Sequence, residues 1–454
     1  MTRLKTIFTC QNCGAESPKW IGRCPSCDQW NTYVEEIVSA PAKATASPLL
    51  ALDNHPLRLE EITDLVQERF DTGIAEFNRV LGGGLVPGSL VLIGGEPGIG
   101  KSTLVLQLAL SLSGKKTLYA SGEESLQQIK LRANRLKMNS KHSLFLSETS
   151  LETLMAIVER EKPDILVVDS IQTIATDQIE SSPGSVAQVR ECTSVLLKYA
   201  KKSQMTVLLI GHINKEGNLA GPKVLEHIVD TVVQFEGDNR HYFRVLRSTK
   251  NRFGSTSELG IFEMRQNGLV EVPNPSDHLL SGDTDPVSGT AIAATIEGVR
   301  PFLIEIQSLV SSAAYGMPQR SSTGFDLRRM NMLLAVLEKR AGFKLATRDV
   351  FLNVAGGLRI TDPATDLAVL VAVLSSSLDL AVDHHTCFAG EAGLTGEIRA
   401  VSRIEQRIAE AARLGFHRIF IPRLNKGFDV SAFPLEIIRV SRAEEVFRKL
   451  FRNN

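Results

Sequence analysis

Short apolar runs alternate with stretches of helical spacing along most of the chain. SLVLIGG (89–95) is rich in branched apolar residues and ends in glycine, while STLVLQLALSL (102–112) repeats its apolar positions at helical intervals. KTLYAS, SLFLS, DILVVDS and TVLLIGH are four more compact apolar runs, each followed by polar or helical sequence. Strands alternating with helices predict an α/β fold in which helices cover a mainly parallel sheet. The pattern breaks twice. SAPAKATASPLLALDNHP (39–56) has no clean period and is rich in Ala, Pro and Ser, so it reads as a linker. VPNPSDHLLSGDTDPVSG (272–289) carries three prolines among turn residues. Beyond it TAIAATIEG and FLIEIQSLV predict a β-hairpin, and helices are expected at about 326–341, 366–377 and 402–414. The expected divisions are a cysteine-rich arm at 1–35, a linker at 36–56, an α/β unit at 57–271, a linker at 272–289 and an α+β unit at 290–454.

A chain of 454 residues exceeds what one hydrophobic core supports, in keeping with that division. Lys+Arg and Asp+Glu both total 51. The balance excludes a general basic coat and an acidic solvating tail, while leaving room for local basic patches. Aromatic residues make up 6%, too few for a large stacking platform. The start, MTRLKTIFTCQNCG, has no apolar signal core, and the apolar stretch 367–374 is too short to span a bilayer. Four of the six cysteines fall in the first 27 residues, unlike the spread of a disulfide-stapled secreted domain. A reducing, cytoplasmic setting with no membrane contact is expected.

Those four cysteines form two identical knuckles, Cys10-x-x-Cys13 and Cys24-x-x-Cys27. Each pair can place two thiolates on one ion, and two pairs complete a tetrahedral four-sulfur Zn²⁺ site. A thioredoxin-type redox motif would need a single CxxC in a β–α context, which is absent. Trp20 and Trp30, the only tryptophans, flank the second knuckle as either a small core or an exposed contact.

Gly95, Glu96, Pro97, Gly98, Ile99, Gly100, Lys101 and Ser102 match G-x-x-x-x-G-K-[ST] between a predicted strand and a predicted helix. Glycines let successive backbone N–H groups curl around phosphates, and the helix N-terminus adds its dipole. Lys101 is expected to reach the β- and γ-phosphates, Ser102 to ligand Mg²⁺, and Thr103 to lie beside them. Asp169 ends the ILVVDS run, where open α/β sheets bind ligands, and is expected on the Mg²⁺ side. In SGEES, Glu123 is the expected base for the attacking water, with Glu124 as the fallback. His212 and Asn214 end the TVLLIGH strand as either a γ-phosphate sensor or the start of a loop. Arg240, Arg244, Arg247, Lys250 and Arg252 occupy a stretch without a single acid, which suits phosphate contact with DNA or with a neighbouring subunit's nucleotide.

Together these features resemble the bacterial RadA (Sms) family of DNA repair and recombination proteins. The match is carried by the CxxC…CxxC ribbon, GEPGIGKST, SGEES and the pentapeptide Lys250-Asn251-Arg252-Phe253-Gly254, the family's KNRFG signature. The resemblance implies a RecA-like P-loop ATPase that binds ATP, forms hexameric rings on DNA and drives branch migration. In that setting Lys250 and Arg252 are expected to act in trans on the γ-phosphate of an adjacent subunit. Single-stranded and branched DNA, further copies of the chain, and a recombinase or replicative helicase are the implied partners. The C-terminal unit resembles the Lon protease domain, which uses a Ser-Lys dyad. Ala364 falls where Lon has its serine and Glu405 where it has its lysine, so no peptidase activity is expected. Arg320, Arg328, Arg329, Lys339, Arg340, Lys344, Arg348 and Arg359 suggest a DNA stripe there. Two other functions fit the motifs less well: an ATP-dependent protease or chaperone, and an ATP switch that recruits repair factors without moving on DNA.

Overall fold

The five apolar runs of the first pattern all form strands: Leu90–Gly94, Thr117–Ser121, Ser143–Ser147, Ile165–Asp169 and Thr206–Ile210. All are parallel to their neighbours within this group. The computed structural model describes residues 4–10, 15–26, 28–39, 69–211, 223–236, 243–280, 286–313 and 317–451. Within these the central sheet has nine strands, in the order Gly268–Glu271, Leu259–Arg265, Phe243–Asn251, Thr231–Glu236, Leu90–Gly94, Thr206–Ile210, Ile165–Asp169, Thr117–Ser121, Ser143–Ser147. Successive side chains of one strand leave opposite faces, and the core divides accordingly. Val91 and Ile93 join one apolar cluster, Leu90 and Leu92 the other. Burial on both faces explains why Leu90–Gly94, Thr117–Ser121, Ile165–Asp169 and Thr206–Ile210 read as unbroken apolar runs, whereas Ser143–Ser147 is half-buried at the sheet's edge. Each such Leu or Ile contributes about 1.5–3 kcal/mol.

The chain separates into two compact units, Met1–Glu236 with Leu246–Glu271, and Gly237–Val245 with Val272–Asn454. In the first, the Lys101–Ser111 helix is almost wholly buried, whereas Leu126–Leu136 is amphipathic and opens with a Ser125–Gln128 capping box. Leu4–Cys10 pairs antiparallel with both Glu16–Ser17 and Tyr33–Ser39 to make a small sheet. The second unit is built on a seven-stranded sheet, ordered Arg320–Thr323, Arg348–Val354, Arg300–Ser312, Thr290–Glu297, Thr386–Phe388, Arg418–Pro422, Glu436–Val440. Thr290–Glu297 and Arg300–Ser312 form the expected hairpin. Helices Leu327–Ala341, Asp366–Leu378 and Ile404–Arg413 accompany the sheet. No helix among the described residues is long and apolar enough to cross a membrane.

Candidate active site

The fully buried Leu90–Gly94 strand feeds the 95–100 loop, and the Lys101–Ser111 helix starts at the loop's end. Gly98 and Gly100 hold φ at 78° and 120°, in the left-handed region that side chains rarely adopt. At Gly100 a Cβ would also lie 2.8 Å from the Met264 methyl carbon. Lys101 is 4% exposed and curls back, its Nζ donating to the carbonyls of Gly95 (2.7 Å) and Glu96 (2.9 Å). Burial pulls its pKa down to about 8, against the attraction of Asp169, Glu123 and Glu96. Thr103 is buried on the same helix, and Ser102 is half-buried.

Asp169 emerges at the same edge of the sheet as the glycine loop, because their strands run parallel. It is 2% exposed. Tyr119, on the neighbouring strand, donates its hydroxyl to Asp169 Oδ2 at 2.6 Å. Burial raises the pKa of Asp169, opposed by hydrogen bonds from Tyr119 and the adjacent Ser102. Oδ1 is enclosed with no partner of hydrogen-bonding geometry. A buried carboxylate oxygen left bare is costly unless a cation serves it. The pair Ser102 and Asp169 therefore fits a hard divalent ion such as Mg²⁺, which would neutralise phosphoryl oxygens when bound.

The two glutamates of SGEES differ in their surroundings. Glu123 is exposed and accepts from Ser170 Oγ at 2.5 Å. Glu124 is clamped by an ion pair with Arg132, and its amide is held by Ser121 Oγ at 2.9 Å. Burial raises its pKa against the Arg132 charge. Glu123 is thus the more exposed of the two, while Glu124 is engaged by Arg132.

The basic stretch does not form one surface. Arg244 is 6% exposed, and Arg247 pairs with Glu236 at 3.1 Å. Lys250 Nζ donates to the carbonyls of Glu226, His227 and Val229 at 2.7, 3.2 and 2.8 Å, closing the end of the Lys223–Ile228 helix. Burial lowers its pKa, helped by Arg252. Arg252 is 55% exposed, 3.7 Å from Asp230. Asp230 also accepts from the Leu90 amide (3.1 Å) and from Lys201 (2.8 Å). Lys250 and Arg252 therefore stand at the opening edge of the parallel strands, and the phosphate loop at the closing edge. The five-residue strand between spans about 17 Å. Neither cation reaches the loop of its own chain. Arg69 ties Phe253 to the Gly82 turn through their carbonyls, and Gly254 packs so close that its Cβ would sit 3.2 Å from the Gly82 Cα.

In the ribbon, Cys10 and Cys24 are fully buried with Tyr33. Cys10 Sγ lies 3.1 Å from Thr32 Oγ1, and Cys24 Sγ lies 3.6 Å from the Tyr33 hydroxyl. The Cys24 carbonyl accepts from the Asp28 amide at 2.9 Å, a tight turn of the kind that encloses a thiolate. Soft sulfurs drawn into a small core fit Zn²⁺, which they would hold as a structural ion. Cys13, Cys27, His212, Asn214 and Arg240 lie outside the described residues. Trp20 and Trp30 are 54% and 67% exposed, so they do not form a core.

Comparison with known proteins matches residues 70–275 to the KaiC ATPase model, 8–35 to a rubredoxin metal-binding domain and 313–425 to subunit ChlI of Mg-chelatase. The DNA repair protein RadA of Bacillus subtilis is 50% identical over 453 residues, covering 99% of both chains. The chain belongs to the RadA family of DNA repair proteins. The RadA of Listeria monocytogenes is 49% identical over 98% of each chain. A KaiC-like protein from Pyrococcus horikoshii is 22% identical, with 45% of this chain and 99% of that one covered at a TM-score of 0.39. In this chain a zinc ribbon thus precedes a RecA-like ATPase core, and a Lon-like domain follows it.

In this RadA-family chain the two positions that the resemblance sets against Lon's serine and lysine are Ala364 and Glu405. Ala364 is fully buried and Glu405 is exposed. Arg407 instead forms a buried ion pair with Asp362 at 2.5 Å. The basic stripe is thinned: Arg329 is engaged by buried Asp366, and Arg320 donates to Asn331 at 3.1 Å. Arg328, Lys339, Arg340, Lys344, Arg348 and Arg359 are exposed. Tyr119, Arg132 and Asp230 escaped the sequence reading. For Tyr119 the available signal was a phenol inside an apolar strand, which needs a partner for its hydroxyl.

Proposed function

We propose that the chain is a DNA-dependent ATPase of recombinational DNA repair, assembled as a cytoplasmic hexameric ring that promotes branch migration. The observation that carries the reading is the pairing, at one sheet edge, of buried Lys101 with Asp169 and its bare Oδ1. Residues Gly95 to Thr103 grip ATP, and Lys101 trades the carbonyls of Gly95 and Glu96 for phosphate oxygens. Ser102 and Asp169 serve Mg²⁺, and Glu123 orients and deprotonates the attacking water. Lys250 and Arg252 serve a neighbour's γ-phosphate. Their position at the far edge of their own sheet supports a role in trans, and such a cation is worth roughly a thousandfold or more in rate. Hydrolysis then depends on ring geometry, so nucleotide state can move DNA.

The divisions proposed are a ribbon at 1–35, a motor at 57–271 and a proteolytically inactive scaffold at 290–454. The six exposed cations between Arg328 and Arg359 suit phosphate contact. A recombinase or replicative helicase is the proposed protein partner. ATP turnover measured with and without single-stranded DNA, together with sizing under nucleotide and migration of a branched junction, tests the reading. Stimulated turnover, a hexamer and junction movement are expected. Turnover indifferent to DNA in a monomeric chain would overturn it. A casein or peptide assay on the unaltered chain should show no cleavage.

A further inference from the structure

Tyr119 is 1% exposed, in a strand with parallel neighbours on both sides. Its ring packs 5.8 Å from Phe145. Phenylalanine would fill the same space without burying a hydroxyl, so packing does not explain the phenol. The strand register does. Tyr119 sits opposite Val167, which makes Asp169, two residues further on, its diagonal neighbour on the same face. A long aromatic side chain spans that diagonal. The Tyr119 hydroxyl meets Asp169 Oδ2 at 2.6 Å, while Oδ1 has no hydrogen-bond partner. One oxygen of the carboxylate is tied to the core and the other is left for a cation.

We propose that Tyr119 is a positioning residue for the metal-side aspartate, its hydroxyl fixing the Asp169 carboxylate so that Oδ1 serves the divalent ion. This rests on the nucleotide reading above and adds a division of labour to it. The glycine loop and Lys101 hold the phosphates, and the tyrosine acts only on the metal's half of the site.

The test uses the full chain with its ribbon zinc-loaded, the Tyr119→Phe variant, and Mn²⁺ as the probe. Mn²⁺ binding is followed by its paramagnetic resonance signal in the presence of a non-hydrolysable ATP analogue. Nucleotide binding is measured separately in EDTA, and folding by circular dichroism. Losing a hydrogen bond to a charged group is expected to weaken Mn²⁺ binding about tenfold, with metal-free nucleotide binding unchanged. Mn²⁺ affinity equal to the parent's overturns the inference, as does an equal loss of metal-free nucleotide binding, which would make the hydroxyl a general structural support. Asp169→Asn separates the two levels. If it abolishes Mn²⁺ binding while Tyr119→Phe does nothing, only this inference fails; if it too leaves Mn²⁺ bound, the metal-site reading itself fails.

Discussion

Asp169 in the first unit and Asp362 in the second are both withdrawn from water, and their surroundings serve them in opposite ways. Asp362 is saturated. Oδ2 accepts from Arg407 Nη1 (2.5 Å), the Ile296 amide (2.9 Å) and Thr295 (3.2 Å), and Oδ1 accepts from the Ala364 amide (3.0 Å). Asp169 accepts from Tyr119 on Oδ2, with Ser102 adjacent, and its Oδ1 has no partner of hydrogen-bonding geometry. A buried charge whose partners are all internal braces a fold, and removing one partner exposes the full desolvation cost of the other. A buried charge left one partner short waits for something from outside. The same residue type is thus a brace in one domain and, on the function proposed above, an instrument in the other.

The largest effect that would sharpen this contrast is on turnover. Lys101→Ala and Asp169→Asn should each cut ATP hydrolysis at least a hundredfold, the scale of removing one preorganised electrostatic contact, while circular dichroism stays native. Hydrolysis within threefold of the parent for either variant would break the contrast on the catalytic side. Asp362→Ala should do the reverse. It strands the Arg407 guanidinium in the core and is expected to cost about 3–5 kcal/mol in urea unfolding, with ATP turnover per folded molecule retained. A small stability change with a large loss of turnover would place Asp362 among the instruments.

The next effect concerns protons. Lys101 has its pKa pulled down to about 8 by burial, and a bound triphosphate restores the charged form. Binding therefore takes up a proton. ATP affinity should fall by up to tenfold for each pH unit above 8, with proton uptake seen by calorimetry in two buffers of different ionisation heat. Affinity that rises with pH in this range would contradict the assignment. The smallest effect is expected at Glu124, against a loss at Glu123 as large as at Lys101 and Asp169. Glu124→Gln should change turnover only a few-fold, because Glu124 is already spent on Arg132, whereas Glu123→Gln should lower it at least a hundredfold.

What the sequence showed and what it hid follow from range. The central strands were visible because both faces are buried, and the phosphate loop because its chemistry is contiguous. Pairings across the fold were not visible. Tyr119 and Asp169 are 50 positions apart, Arg407 and Asp362 are 45, and Arg329 and Asp366 are 37. A count of like charges also cannot register direction. The stretch around Arg244 to Arg252 reads as one basic surface, yet a strand sends successive side chains to opposite faces. It delivers one arginine to the interior, another to Glu236, and the lysine to helix-end carbonyls. Arg329 leaves the C-terminal stripe for a different reason: from the Leu327–Ala341 helix it reaches buried Asp366, 37 positions away.

Asp230 gives the Leu90–Gly94 strand a handle. One of its oxygens holds the first amide of that strand and the other faces Arg252, while the strand's far end becomes the turn that Lys101 folds against. Whatever draws the exposed guanidinium away unbalances the carboxylate steadying the strand's root. The same carboxylate thus anchors the root of the strand that ends in the glycine turn and faces an exposed cation at the opposite edge of the sheet.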